Sequence, residues 1–151
     1  MMRNRKSIFS NLIISTMSVV LLLAAAGIVS ADDAKPHKLV IQVSTDDEKT
    51  RNIALNNAVN LQKIYGMDNV TIELVAYGPG LGMLTKKSKQ ADRVKSLAMQ
   101  NITFSACGNT MKKVEKKTGK KPQLIEGVGV VDAGVARIMT LQEEGYAYIR
   151  P

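Results

Sequence analysis

Tryptophan is absent from this chain, and its 151 residues hold one cysteine, Cys107, and one histidine, His37. A lone cysteine excludes an internal disulfide, so the thiol stays free or pairs between chains. It also excludes a dithiol redox cycle of the Cys-x-x-Cys kind. A cysteine metal site would recruit further Cys or His ligands, and the chain has no such cluster, so neither a metal nor another cofactor is implied. Aromatic residues make up only 4%. That leaves little to stack on bases, and nucleic acid is a poor fit as a partner. Nucleotide fingerprints are missing too. "GPGLG" (78–82) lacks the G-x-G-x-x-G spacing, and no Gly-Lys-Ser/Thr is present.

What is present is an apolar fraction of 45%, enough for a core of aliphatics, Ala and Met, in a chain of one-domain size. The eight methionines comprise three in the first 31 residues and others at core-like spacing, where packing is the expected role.

Residues 1–31 form a basic head with Arg3, Arg5 and Lys6, then a long apolar run, then the exit "LLLAAAGIVSA" (21–31). Val29 and Ala31 suit a signal peptidase, with cleavage before Asp32. The run is also long enough for a retained anchor; the polar residues in its first half and the small-residue exit favour cleavage. No cysteine near the exit marks a lipid-anchored product. The expected location is therefore periplasmic or secreted, with no membrane association after cleavage. Removal takes three basic residues off the formal +8, leaving +5. Much of the excess lies in "KKSKQADRVK" (86–95) and "KKVEKKTGKK" (112–121). These stretches read as solvated helix faces, or as a positive field around an anionic ligand or partner.

After a polar lead (32–37), one domain is expected over 38–151. "KLVIQVS" (38–44) reads as a buried strand. "TDDE" (45–48) has the form of a capping box with Thr45 as cap, ahead of a helix that Gly66 stops. "VTIELVAY" (70–77) is a second strand, "GPGLGML" (78–84) a glycine-rich turn, and 88–99 a helix. "ITFSA" (102–106) is a third strand, followed by a helix to Gly119. "LIEGVGVV" (124–131) is strand-like, 133–144 a helix closed by Gly145, and "YAYI" (146–149) an edge strand. This alternation predicts an α/β fold: three layers, α/β/α, around a mainly parallel five-stranded sheet with right-handed connections. Ligands gather at the carboxyl ends of such strands, where "YGPGLG" and "CGNT" lie.

Cys107 is thus placed where a strand ends and a helix begins. Gly108 allows a sharp turn, and Asn109 or Thr110 can cap the helix. A thiol there faces unpaired N–H groups and the positive end of a helix, which favours the thiolate. Lys112 and Lys113 add to this if they point back at the loop. The same N–H groups can hold an oxyanion or a terminal sulfur anion. A small buried hydrophobe at a strand end is the competing reading. A Cys–His nucleophile needs a nearby base, and His37 lies in the lead. What remains is chemistry that one thiolate does alone: accept a group, hold it and hand it on.

The stretches "VAYGPGL" (75–81), "FSACGNTM" (104–111) and "GVARIMTLQEEGYAYIRP" (134–151) resemble the DsrE/DsrF-like family from about Lys38 to Pro151. The resemblance implies a compact α/β domain and homo- or hetero-oligomers, often trimers or hexamers. It implies that Cys107 carries persulfide sulfur in a relay between donor and acceptor proteins. Gly78, Gly80 and Tyr77 are expected to wall a pocket above Cys107, with Gly108, Asn109, Thr110 and Lys112 as binding residues. The alternative is a non-catalytic oligomeric module binding a small anion at the same pocket. Glu73, a carboxylate in an apolar strand, is expected at an interface, at the pocket, or solvated at an edge.

Overall fold

The computed structural model describes residues 37–151. The expected leader, its expected cleavage site and residues 32–36 of the lead lie outside the described residues.

Among the described residues five strands form one sheet: β1 (His37–Val43), β2 (Val70–Ala76), β3 (Ile102–Cys107), β4 (Val128–Val131) and β5 (Ala147–Ile149). Their order is β4-β3-β2-β1-β5. Every neighbouring pair is parallel. The inner strands are apolar on both sides because helices cover both faces. Four α-helices connect them: α1 (Glu48–Tyr65), α2 (Ala91–Ala98), α3 (Gly108–Thr118) and α4 (Gly134–Glu143). β1 takes in His37, so the strand begins one residue inside the expected lead. His37 stacks on Tyr65 with ring centroids 3.8 Å apart.

The first three connections step the chain one way across the sheet, from β1 to β4. The fourth returns it past β1 to β5. Right-handed crossovers therefore put α1, α2 and α3 on one face and, among the described residues, α4 alone on the other. The packing agrees. One core joins Ile41, Leu74 and Phe104 to Leu55, Val94 and Met111. A smaller one joins Val40 and Val75 to Ile138 and Leu141. Among the described residues, no helix is long and apolar enough to cross a membrane.

Several local expectations change. The cap of α1 is Asp47, whose carboxylate accepts the Thr50 N–H at 2.7 Å. Thr45 instead accepts the Asp47 N–H, one turn-closing bond too early to cap, and Glu48 becomes the first helical residue. The glycine-rich turn is a 3-10 helix over Gly78–Leu84. β4 starts only at Val128, because Gly127 at φ +84° breaks the extended run. Ahead of it, Leu124 makes an isolated antiparallel bridge to Thr85. Met83 and Met111 are core residues, as expected, but Met67, Met99 and Met139 are exposed, the first two in the turns that follow α1 and α2 and the third on the solvent side of α4.

Phe104 is fully buried at the centre of the larger core. Phe104→Ala should cost about 3–5 kcal/mol, read from the urea unfolding midpoint.

Candidate functional site

β3 carries its side chains alternately to the two faces. Ile102, Phe104 and Ala106 point into the larger core. Thr103, Ser105 and Cys107 therefore point to the face that α4 covers. Cys107 is the last residue of β3 and is 5% exposed.

Cys107 is itself the N-cap of α3, with φ −72° and ψ 116°. Neither Asn109 nor Thr110 caps the helix, contrary to expectation, because Gly108 is already helical. The sulfur occupies the place where a capping oxygen would sit, ahead of the Asn109 and Thr110 N–H groups. It closes no capping hydrogen bond as a thiol. A neutral thiol is a weak acceptor, and these donors count once the sulfur is charged.

A second helix converges on the same atom. α4 starts at Gly134 after Ala133, which supplies no side-chain cap. Gly134 is buried against Tyr77 and Cys107: a Cβ added to it would lie 3.0 Å from Tyr77 Cδ1 and 3.3 Å from Cys107 Cβ. Glycine lets the start of α4 come this close without displacing the Tyr77 ring or Cys107. Neither α3 nor α4 has an acidic residue in its first turn, so no carboxylate there competes with the sulfur for the helix N–H groups.

Burial pushes the Cys107 thiol up. The Thr110 hydroxyl and the N–H groups of Gly134, Thr110 and Asn109 outweigh that, and the thiol titrates below its ordinary value. Thr110 is held in place from the other side, since its Oγ1 accepts the Gly78 N–H at 3.0 Å. Asn109 N–H also donates to the Asp132 carbonyl at 3.0 Å, tying α3 to the turn before α4.

The other expected site residues divide. Tyr77 and Gly78 reach the Cys107 turn through Gly134 and Thr110. Gly108 lies beneath the β4–α4 turn, where a Cβ would come 3.2 Å from the Val131 carbonyl. Gly80 belongs elsewhere: a Cβ on it would sit 2.1 Å from the Val43 carbonyl, so it packs on the end of β1. Lys112 is exposed on α3 and, like Lys113, is absent from the groups that act on the sulfur. His37 sits at the opposite end of the sheet from Cys107.

Sequence reasoning missed Gly134, Ser105 and Arg137. Glu73 is neither solvated nor at an edge; it is 4% exposed within β2. Its Oε1 accepts from Ser105 Oγ at 2.6 Å and Arg137 Nε at 2.9 Å, and its Oε2 from Arg137 Nη2 at 2.7 Å. The only sequence signal was the carboxylate itself, which had to find a cation.

The profile of the DsrE/DsrF-like family matches residues 37–151. The solved structure of a protein of unknown function, MTH1491 from Methanobacterium thermoautotrophicum, is 36% identical. It superposes with a TM-score of 0.69 over 76% of this chain and 99% of that one. The ychN protein from E. coli shares the fold at 12% identity, with a TM-score of 0.61 over 76% of this chain and 98% of that one. No curated protein matches this chain.

The lowered thiol midpoint has a stability consequence. Between it and the ordinary value, the unfolded chain holds a proton that the native chain has released. Stability therefore rises with pH across that window, is fully present above the ordinary value, and is lost as pH falls through the native midpoint. Cys107→Ser should abolish this rise in chemical denaturation curves taken across the pH series. Thr110→Val should move the midpoint of thiol alkylation upward by removing the hydroxyl.

Proposed function

The chain belongs to the DsrE/DsrF-like family, and on that premise we propose that it is a sulfur carrier, holding sulfur as a persulfide on Cys107 and passing it to a partner protein in sulfur oxidation or sulfide handling. The observation that carries this reading is the convergence of two uncapped helix N-termini on one buried thiol. Such a site stabilises a sulfur anion without a base, a metal or a second cysteine.

The step balances within the two sulfur compounds. The Cys107 thiolate attacks the outer sulfur of a donor persulfide or polysulfide. A new S–S bond forms as the old one breaks, and the donor leaves as a thiolate or a shortened polysulfide. Cys107 is oxidised to the persulfide level and the donor is reduced by the same two electrons. Delivery to an acceptor thiol is the reverse exchange, and the N–H groups that favour the thiolate then face the leaving sulfur. Because Cys107 is 5% exposed, exchange needs Tyr77 or the β4–α4 turn to yield as the partner docks.

Export and assembly are part of the proposal. Export rests on the basic head, apolar run and small-residue exit of residues 1–31. A homo-oligomer is supported by apolar side chains left in solvent around α4: Val135 is 67% exposed and Met139, one turn on, 64%. A second reading, a non-catalytic module binding a small anion at the same place, draws on the burial of Cys107.

Intact mass of the mature protein after polysulfide, then reductant, separates the two. A gain of one or more sulfur atoms, removed by reductant and absent in Cys107→Ser, is expected. No gain in the wild type overturns the carrier reading in favour of the binding module. The mature chain recovered from an exporting bacterial host should begin at Asp32.

A further inference from the structure

The Glu73–Arg137 ion pair lies on the same face of the sheet as Cys107 but touches neither the sulfur nor its donors. Taking the Glu73 carboxylate out of water is costly even beside a guanidinium that keeps a third of its surface in solvent, and apolar packing in its place often serves stability as well. What an apolar pair does not provide is a directional lock. Here the guanidinium grips both carboxylate oxygens through Nε and Nη2, and Ser105 holds the carboxylate from β3. A two-point grip of this kind sets both distance and orientation.

The lock acts along α4. Gly134 and Arg137 are three residues apart, close to one helical turn. Ser105 and Cys107 are two residues apart, one pleat repeat of β3. α4 therefore meets the sheet at two matched points: Arg137 on Glu73, and Gly134 on Tyr77 and Cys107. Ile138 and Leu141 fill the space beneath with apolar contacts, which tolerate small slides and rotations that a bidentate ion pair does not. We propose that Glu73, Ser105 and Arg137 form a positioning cluster that sets the register of α4 on the sheet and so directs the Gly134 N–H toward the Cys107 sulfur.

This deepens the carrier reading and takes its purpose from it: a slipped α4 would leave the anion with the α3 donors alone. The cluster does not act on the sulfur by its own charge. Neither Glu73 nor Arg137 is among the groups that shift Cys107. The charged and titratable groups around Arg137 are Glu73, Glu144 and Tyr146.

The test reads the thiol. Alkylation of Cys107 by iodoacetamide is followed across a pH series in wild type, Arg137→Lys and Ser105→Ala, each with its melting temperature. Arg137→Lys keeps the charge but loses the fork; Ser105→Ala removes one hydrogen bond and carries the test if the lysine variant fails to fold. Leu97→Ala, in the core on the opposite face, supplies a comparable or larger loss of stability without touching α4. The expected result is an upward move of the alkylation midpoint and a several-fold slower reaction near neutrality in Arg137→Lys, a smaller move in Ser105→Ala, and none in Leu97→Ala. Unchanged midpoints in folded Arg137→Lys or Ser105→Ala overturn the positioning role, as does an equal move in Leu97→Ala. Polysulfide loading of the wild type, measured separately, reports on the carrier reading: its failure leaves the titration comparison standing, and its success does not rescue an unchanged midpoint.

Discussion

A right-handed return from β4 to β5 leaves α4, among the described residues, as the one helix on its face of the sheet. The same return carries the chain past the carboxyl end of β3, so α4 begins beside Cys107. α3 begins at Cys107 as well. Two helix starts meet at one residue because one connection steps forward from β3 and the next steps back over it. Without that reversal the sulfur would face a single helix end.

Burial and oriented donors act on the thiol in opposite directions. Burial at 5% exposure favours the neutral form. The Thr110 hydroxyl and three backbone N–H groups favour the anion, and they prevail. The low-dielectric setting that penalises a charged sulfur also strengthens each dipole aimed at it. Backbone N–H groups suit this task because the helices hold them in place without side-chain freedom to lose.

The second face of the sheet is held differently from the first. α1, α2 and α3 are seated by an extended aliphatic core. α4 has a four-residue buried cluster and a hydrogen-bonded ion pair in which every buried side-chain polar atom has a partner among the described residues. A small apolar contact supplies adhesion but little direction. The carboxylate–guanidinium fork supplies direction. Glycine at the tip of α4 then converts direction into close approach, since any side chain there would meet Tyr77.

Local pattern made much of the fold legible. Continuous apolar runs mark β1, β2 and β3, helical spacing marks the segments between them, and Gly66, Gly119 and Gly145 stand where α1, α3 and α4 end. The position of Cys107 at a strand end ahead of a helix was also local, and so was readable. Other features join residues far apart in sequence. Arg137 answers Glu73 across 64 positions, Gly134 meets Cys107, and Gly80 packs on Val43 rather than over the thiol. Even the cap of α3 changed hands, from Asn109 or Thr110 to Cys107, because the strand ran one residue further than its apolar pattern. Periodicity records which face of an element is buried. It does not record which element lies against that face, and crossover handedness, packing and the demand of one buried carboxylate decided that.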